Sequence, residues 1–264
     1  MRVLLVGDTH ANTAWLTRCV IPAAQREHAD VILQLGDFGW WPGQPAGDAF
    51  IEAARRSPVP LWWIDGNHEH HDDLAQRRRA AGLEGPHPLH LGGNLTYLPR
   101  GARIDLAGVH ALGCGGAHSI DRQLRNPGQS WFEAERITPA GITECAIGGH
   151  ADILFSHDAP AGWDIPGMIP DEVLPPRLRA ELPACWSHRR ALGDVFAAAT
   201  PALVVHGHYH SGYATTFAAP WGPVDVLGLD CDGTSGNLAV LDCTAGTWSV
   251  KPLGRRNETR DFGP

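Results

Sequence analysis

Three short apolar runs lie near the start of the chain, and each is cut off at once by glycine and a polar cluster. Arg2 to Val6 meets Gly7-Asp8, Val31 to Leu35 meets Gly36-Asp37, and Val59 to Ile64 meets Gly66-Asn67 after a single Asp65. Runs this short and this continuously apolar read as strands buried on both faces. The stretches between them are helical in character. Asn12 is placed to cap a helix reaching about Glu27, a second helix is expected from about Gly47 to Arg56, and a third from His70 to Ala81. A βαβαβα order needs crossover connections, so these strands are expected to start out parallel.

The rhythm then changes. Leu95 to Gly116 is short, β-like and punctuated by glycine, which suggests hairpins. Ser119 to Arg136 reads as an irregular loop, and Pro139 to Ala146 as a short helix. Asp152 to Ser156 is a further strand ending at His157. Pro160 to Pro183 is rich in proline and is expected to be a long surface excursion. Ser187 to Ala199 follows as a helix, then Ala202 to Val205 as a strand ending at His206-Gly207-His208. The remainder to about Lys251 looks hairpin-like. No repeat or linker divides the chain, so one domain is expected over residues 1–252, with 253–264 a loose tail carrying Arg255, Arg256 and Arg260.

Composition narrows the function classes. The chain has 264 residues, 43% of them hydrophobic, with a formal net charge of −8. That balance argues against broad nucleic-acid binding, which relies on surplus Lys and Arg, but leaves a small nucleotide substrate open. No run approaches the roughly 18 to 20 apolar residues of a membrane helix. Asp8 and His10 arrive too early for an export signal, and the six cysteines form no CxxC pair. Reduced thiols and a cytoplasmic location are therefore expected. Fifteen histidines are the one unusual count, and they invite a search for metal ligands.

The polar clusters fall where a metal site can be built. Asp8 and His10 follow the first strand, Asp37 the second, and Asn67, His68 and Glu69 the third. His157 follows a later strand, and His208 and His210 follow the last of the apolar runs. Ligands of α/β sheets collect at the carboxyl ends of strands, where residues distant in sequence meet. Each piece alone is weak, since turn caps and core histidines supply the same residues at these spacings. Five pieces in this order, each at a strand end, are hard to obtain by chance.

The order Asp8-Thr9-His10, Gly36-Asp37, Gly66-Asn67-His68-Glu69, Ser156-His157 and Gly207-His208-Tyr209-His210 resembles the calcineurin-like metallophosphoesterases. Their pattern is DxH, GD, GNH(E/D), H and GHxH. The resemblance implies an α/β fold, a two-sheet β-sandwich flanked by helices in α/β/β/α order. It also implies two divalent metal ions. Asp8, His10, Asp37 and His210 would hold one, and Asp37, Asn67, His157 and His208 the other, with the Asp37 carboxylate bridging. Nitrogen and oxygen donors without thiolates suit Mn, Fe, Zn or Ni. In such a site two metals about 3.5 to 4 Å apart clamp the attacking and leaving oxygens, and a bridging water becomes a hydroxide nucleophile near neutral pH. His68, next to ligand Asn67, would be the general acid for the leaving alkoxide.

Several neighbours admit two readings. Glu69 is expected to cap the following helix, and His70 and His71 to lie on a solvated face, as is the run Arg77-Arg78-Arg79. Asn12 either faces the phosphate or caps a helix. His206 is not expected to be a ligand, though it can support one. His118, Arg122 and Arg125 either contact substrate phosphate or are ordinary loop polars. Trp62 and Trp63 should pack on opposite sides of their strand, while Trp40 and Trp41 divide between cleft wall and core. The phosphoprotein phosphatase branch carries GDxxDRG, whereas Trp40 and Trp41 stand here in place of the second Asp and the Arg. Protein phosphatase activity is therefore not expected, and His68 lacks that branch's orienting carboxylate. The implied partner is a small phosphate ester, with a nuclease on the same centre or a non-catalytic scaffold as the alternatives.

Overall fold

The computed structural model describes residues 1–254. The strands, in chain order, are β1 Arg2–Val6, β2 Val31–Leu35, β3 Leu61–Ile64, β4 Leu89–His90, β5 Leu95–Tyr97, β6 Arg103–Leu106 and β7 Val109–Cys114. They continue with β8 Ile153–Ser156, β9 Leu203–His206, β10 Tyr213–Ala219, β11 Gly222–Gly228, β12 Leu238–Thr244 and β13 Thr247–Pro252. The α-helices are α1 Thr13–Trp15, α2 Ile21–Arg26, α3 Pro45–Arg55, α4 His71–Ala80, α5 Pro139–Ile147, α6 Pro176–Arg179 and α7 Leu182–Ala199.

Two mixed sheets form. One has the order β13-β12-β1-β2-β3-β5-β4, the other β10-β11-β9-β8-β7-β6. The period of two along each strand explains the layers. Val3, Leu5, Leu33 and Leu35 point inward against Ile153, Phe155, Leu203 and Val205 of the facing sheet. Leu4, Val6, Ile32 and Trp63 point the other way, into a second core with Leu16, Val20, Phe50 and Leu74 from the helical side. On the far side Leu112, Leu154, Val204 and Val226 meet Cys145 of α5 and Leu192 and Val195 of α7. The result is the expected α/β/β/α sandwich. Strands buried on both faces have no polar alternation to show, which is why they read as plain apolar runs.

β1, β2, β3 and β5 are mutually parallel, as are β7, β8, β9 and β11. All the polar clusters at their carboxyl ends thus gather on one edge of the sandwich. Within Leu95 to Gly116, β6 and β7 form a hairpin, while β5 pairs antiparallel with the preceding β4 on one side and parallel with β3 on the other. The first helical stretch is broken by a π-helical turn at Leu16–Val20. α7 starts at Leu182, earlier than expected, and the proline-rich excursion holds α6 and a 3-10 turn at Asp171–Val173.

Two surface assignments need correction. His71 is buried, with Nδ1 3.9 Å from Asp65 Oδ2, because its helix turns inward over that carboxylate. His70 is the N-cap of α4, accepting from Asp73 N, and its ring stacks 4.8 Å from Phe132. In the arginine run, Arg77 pairs with Asp73 at 2.6 Å and lies over the Trp40 ring, while Arg78 donates to the carbonyls of Gly85 and His87. Only Arg79 of the three is exposed. Of the expected tail, Leu253 is partly buried against the helical-side core, and residues 255–264 lie outside the described residues.

Candidate metal centre

The parallel strands bring all the candidate ligands together. One cluster contains Asp8, His10 and His210, and the other Asp37, His157 and His208, the ligand atoms in each lying within 4.8 Å of one another. Asp37 stands between them. Its Oδ2 is 3.5 Å from His10 Nε2, and its Oδ1 is 3.4 Å from His157 Nε2. Asn67 Oδ1 reaches the second cluster, 3.2 Å from His157 Nε2. The loops that carry these residues are tightly folded: His10, Asp37, His208 and His210 all have positive φ, between 46° and 71°. Strain of this kind persists only where surrounding contacts over-determine the backbone.

Glycine is required where the motifs meet. A Cβ on Gly66 would strike the backbone and carboxylate of Asp37, and one on Gly207 would strike Asp8 Oδ1. The glycines of GNHE and GHxH therefore let one strand end close on another strand's carboxylate.

The imidazoles are oriented from behind. His157 Nδ1 donates to Leu35 O at 2.8 Å, leaving Nε2 to face the cluster. His10 Nδ1 is 3.1 Å from Asp232 Oδ1, and Asn12 Nδ2 donates to Asp232 Oδ2 at 2.6 Å. Asn12 also caps α1, accepting from Trp15 N at 3.0 Å. Asn67 Nδ2 donates to Ser119 Oγ at 3.1 Å, and Ser119 Oγ donates to buried Glu135 at 2.8 Å. That chain turns the Asn67 carbonyl, not its amide, toward the cluster. Asp232, Ser119 and Glu135 were not singled out from the sequence. Asp232 lies in the acidic turn Asp230-Cys231-Asp232 after β11, which is the only local hint it offers.

Electrostatics show a site that calls for cations. Burial disfavours a charged imidazole, yet Asp37, Asp8 and Asp232 hold His10 up to about 9. His157 is likewise raised to about 10 against burial, by Asp37 and Asp8. Burial should raise the Asp37 carboxyl, but His157, His68 and His10 pull it well below its ordinary value. Asp8 Oδ2 is buried without a hydrogen bond, although His210 Nε2 lies 3.0 Å away out of bonding geometry. An orphaned carboxylate oxygen beside clustered imidazole nitrogens is the donor set a borderline divalent ion takes.

A family model, calcineurin-like phosphoesterase, matches residues 1–212. The chain belongs to this family. This phosphoesterase is thus a hydrolase of phosphoric esters, with two candidate metal-holding clusters. Among solved structures, one aligns over 96% of this chain and 99% of its own, at 11% identity and a TM-score of 0.59. The protein TT1561 of Thermus thermophilus covers 100% of this chain and 97% of its own, at 10% identity and a TM-score of 0.51. A phosphatase from Mycoplasma pneumoniae covers 100% and 92%, at 10% identity and a TM-score of 0.44. At such identities the likeness to the first two is one of fold. No curated protein sequence matches. Among the described residues no helix is long and apolar enough to cross a membrane.

Glu69 does not cap α4. It is buried and accepts from Phe38 N, Gly39 N and Trp40 N at 2.7, 3.1 and 2.7 Å, so it clamps the loop after Asp37. Burial and the charge of Asp37 push its carboxyl up to about 8 against those donors. Trp40 is core, 5.8 Å from Trp63, while half-buried Trp41 sits near His70 and Phe132. Trp63 packs on the helical side and Trp62 toward the facing sheet, as expected. His206 bonds to Tyr213 Oη at 2.7 Å rather than to a ligand. His118 bonds to Glu181 at 2.8 Å, and Arg122 stacks 3.9 Å above Trp131. Arg125 reaches the centre: its Nη2 donates to His68 Nε2, its Nε pairs with Asp121 at 2.8 Å, and its Nη1 is buried without a partner.

Proposed function

We propose that this chain is a dinuclear metal-dependent phosphoesterase that hydrolyses small phosphate monoesters or diesters. Asp8, His10, Asp37 and His210 would hold one divalent ion, and Asp37, Asn67, His157 and His208 the other. The observation that carries this reading is Asp37, whose two oxygens face opposite histidine sets at 3.5 and 3.4 Å. Bound there, such a pair supplies Lewis acidity, which acidifies water and offsets charge on phosphoryl oxygens.

The chain's own groups do the rest. Arg125 offers a guanidinium with a buried, unpartnered Nη1 beside His68, suited to a phosphoryl oxygen. While Arg125 donates to His68 Nε2, that nitrogen is an acceptor and cannot serve as an acid. A phosphate that draws Arg125 away frees Nε2 and neutralises the cation that disfavours the imidazolium. His68 Nε2 can then take up a proton from solvent and deliver it to the leaving alkoxide. Nucleic acid fits less well, because Arg122 is stacked on Trp131 and Arg136 is paired with Glu133.

The test is hydrolysis of p-nitrophenyl phosphate and bis-p-nitrophenyl phosphate by metal-stripped protein with Mn²⁺ restored. Turnover is expected only with metal. His68→Ala is expected to lower kcat about 10²- to 10⁴-fold on poor leaving groups, and Arg125→Met to raise KM about tenfold or more. Two bound metals without turnover of any ester would sink the proposal.

Metal binding is also expected to displace protons. His10 and His157 hold theirs up to about 9 and about 10 in the metal-free protein. Affinity should therefore rise with pH through neutrality and level off only above about 10, where both imidazoles are already neutral. Calorimetry in buffers of different ionisation enthalpy at pH 8 should show about two protons released per pair of ions. Zero release would contradict the assigned ligands.

A further inference from the structure

A cavity of about 430 Å³ opens beside the metal centre, and His208 and His210 form part of its wall. It is therefore continuous with both candidate clusters. Its volume falls in the usual range of small-molecule pockets, about 300 to 1,000 Å³. The excursion and the start of α7 supply a mostly apolar part of the lining: Met168, Leu174, Leu178, Leu182 and Trp186. Met168 is 38% exposed and Ile169 60%, unusually open for side chains of this kind lining one cavity.

Asp158, Arg189 and His118 in the wall are already engaged. Asp158 accepts from Tyr209 Oη at 2.5 Å and lies 2.8 Å from His188 Nδ1. The Arg189 guanidinium donates to the carbonyls of Ala159, Pro160 and Trp163. His118 is bonded to Glu181. Asp171 adds another carboxylate to the lining. A ligand group entering here gains apolar contact and meets carboxylates, with the one guanidinium of the wall committed to backbone.

We propose that this cavity is the leaving-group subsite, and that the substrate is a phosphate ester of an uncharged apolar alcohol, alkyl or aryl, rather than of an alcohol bearing a second phosphate or a carboxylate. This rests on the phosphoesterase reading above. With the phosphoryl group at the metal clusters, the esterified alcohol extends past His208 and His210 into the apolar pocket. Specificity then comes from segment 160–186, which the ligand motifs do not include.

The experiment uses n-alkyl phosphates from methyl to hexyl, whose alcohols differ little in acidity, with the Mn²⁺-loaded protein. Here kcat/KM should rise roughly threefold per methylene. Trp186→Ala and, separately, Leu178→Asp should flatten that rise. Competition binding of the matching alkylphosphonates provides a readout without turnover, with affinity climbing in the same way. Phosphonohexanoate, which ends in a carboxylate, should bind at least tenfold more weakly than hexylphosphonate. Efficient hydrolysis with no dependence on chain length would overturn the subsite and leave the phosphoesterase reading standing. Chain-length-dependent binding without hydrolysis of any ester would do the reverse. Equal binding of the carboxylate-terminated and apolar phosphonates would also overturn it.

Discussion

Asp37→Asn is expected to lower kcat/KM by about three orders of magnitude or more, with the fold intact. The substitution keeps the side chain's shape and one oxygen, which can still accept from His68 N as Asp37 Oδ1 does now at 2.8 Å. What it removes is the second anionic oxygen and the charge. Asp37 is the group whose two oxygens face His10 on one side and His157 on the other, so no single-oxygen residue can serve both clusters. The change has a second readout, independent of turnover. Asp37 is the strongest of the groups raising the His10 and His157 imidazoles. In the metal-free variant both should titrate markedly lower when followed by NMR. A variant retaining kcat/KM within tenfold of the parent would remove Asp37 from the centre of the site.

Arg100→Met is expected to cost about 3 to 5 kcal/mol of stability. Arg100 donates to Asp65 through Nε and Nη2 at 3.0 and 2.5 Å, and Asp65 is almost wholly buried. The same guanidinium donates to the carbonyls of Ala134, Glu135 and Arg136. Its loss strands a buried carboxylate, with Tyr97 Oη at 2.9 Å and the nearby His71 as partial compensation. Burial pushes the Asp65 carboxyl up, but the Arg100 and His71 charges and the hydrogen bonds from Arg100 and Tyr97 together outweigh it and hold the group below its ordinary value. The stabilisation from that pair is thus present above the ordinary carboxylate range and fades as pH falls through the depressed value. Urea unfolding at pH 7 measures the effect. Asp65→Asn combined with Arg100→Met should recover part of the loss, because no buried charge is then left alone. A single-variant loss below about 1 kcal/mol would show that the network contributes little.

The network also bears on the site. Arg100 fastens the Ala134–Arg136 backbone, and Glu135 in that segment orders Ser119, which orients Asn67. Weakening Arg100 should therefore loosen the Asn67 amide several contacts away.

Much of this was readable in the chain. The apolar runs, their breaks at glycine and the polar groups just beyond are local features, and local features determine strands and strand ends. Parallel order then follows from the crossovers, and parallel order places Asp8, Asp37, Asn67, His157 and His208 on one edge. The misreadings share a cause. Glu69 looks like a helix cap because Glu before a helix often is one, yet its partners are backbone amides about thirty residues away. His71 looks solvated because its neighbours are charged, yet Asp65 and Arg100 draw that face inward.

The sequence by itself determined the strand ends and the set of candidate ligand types, since periodicity and turn chemistry act between residues close along the chain, while the layer order came with the family resemblance its motifs carry. Only the tertiary structure decided which nitrogen each histidine turns to the centre, which arginine reaches His68, and what walls the cavity beside it. Those depend on contacts such as Asp232 with His10, 222 positions apart, and Arg125 with His68, 57 apart. Side-chain packing across such distances leaves no periodic trace in the chain, so it becomes visible only when the strands are brought together.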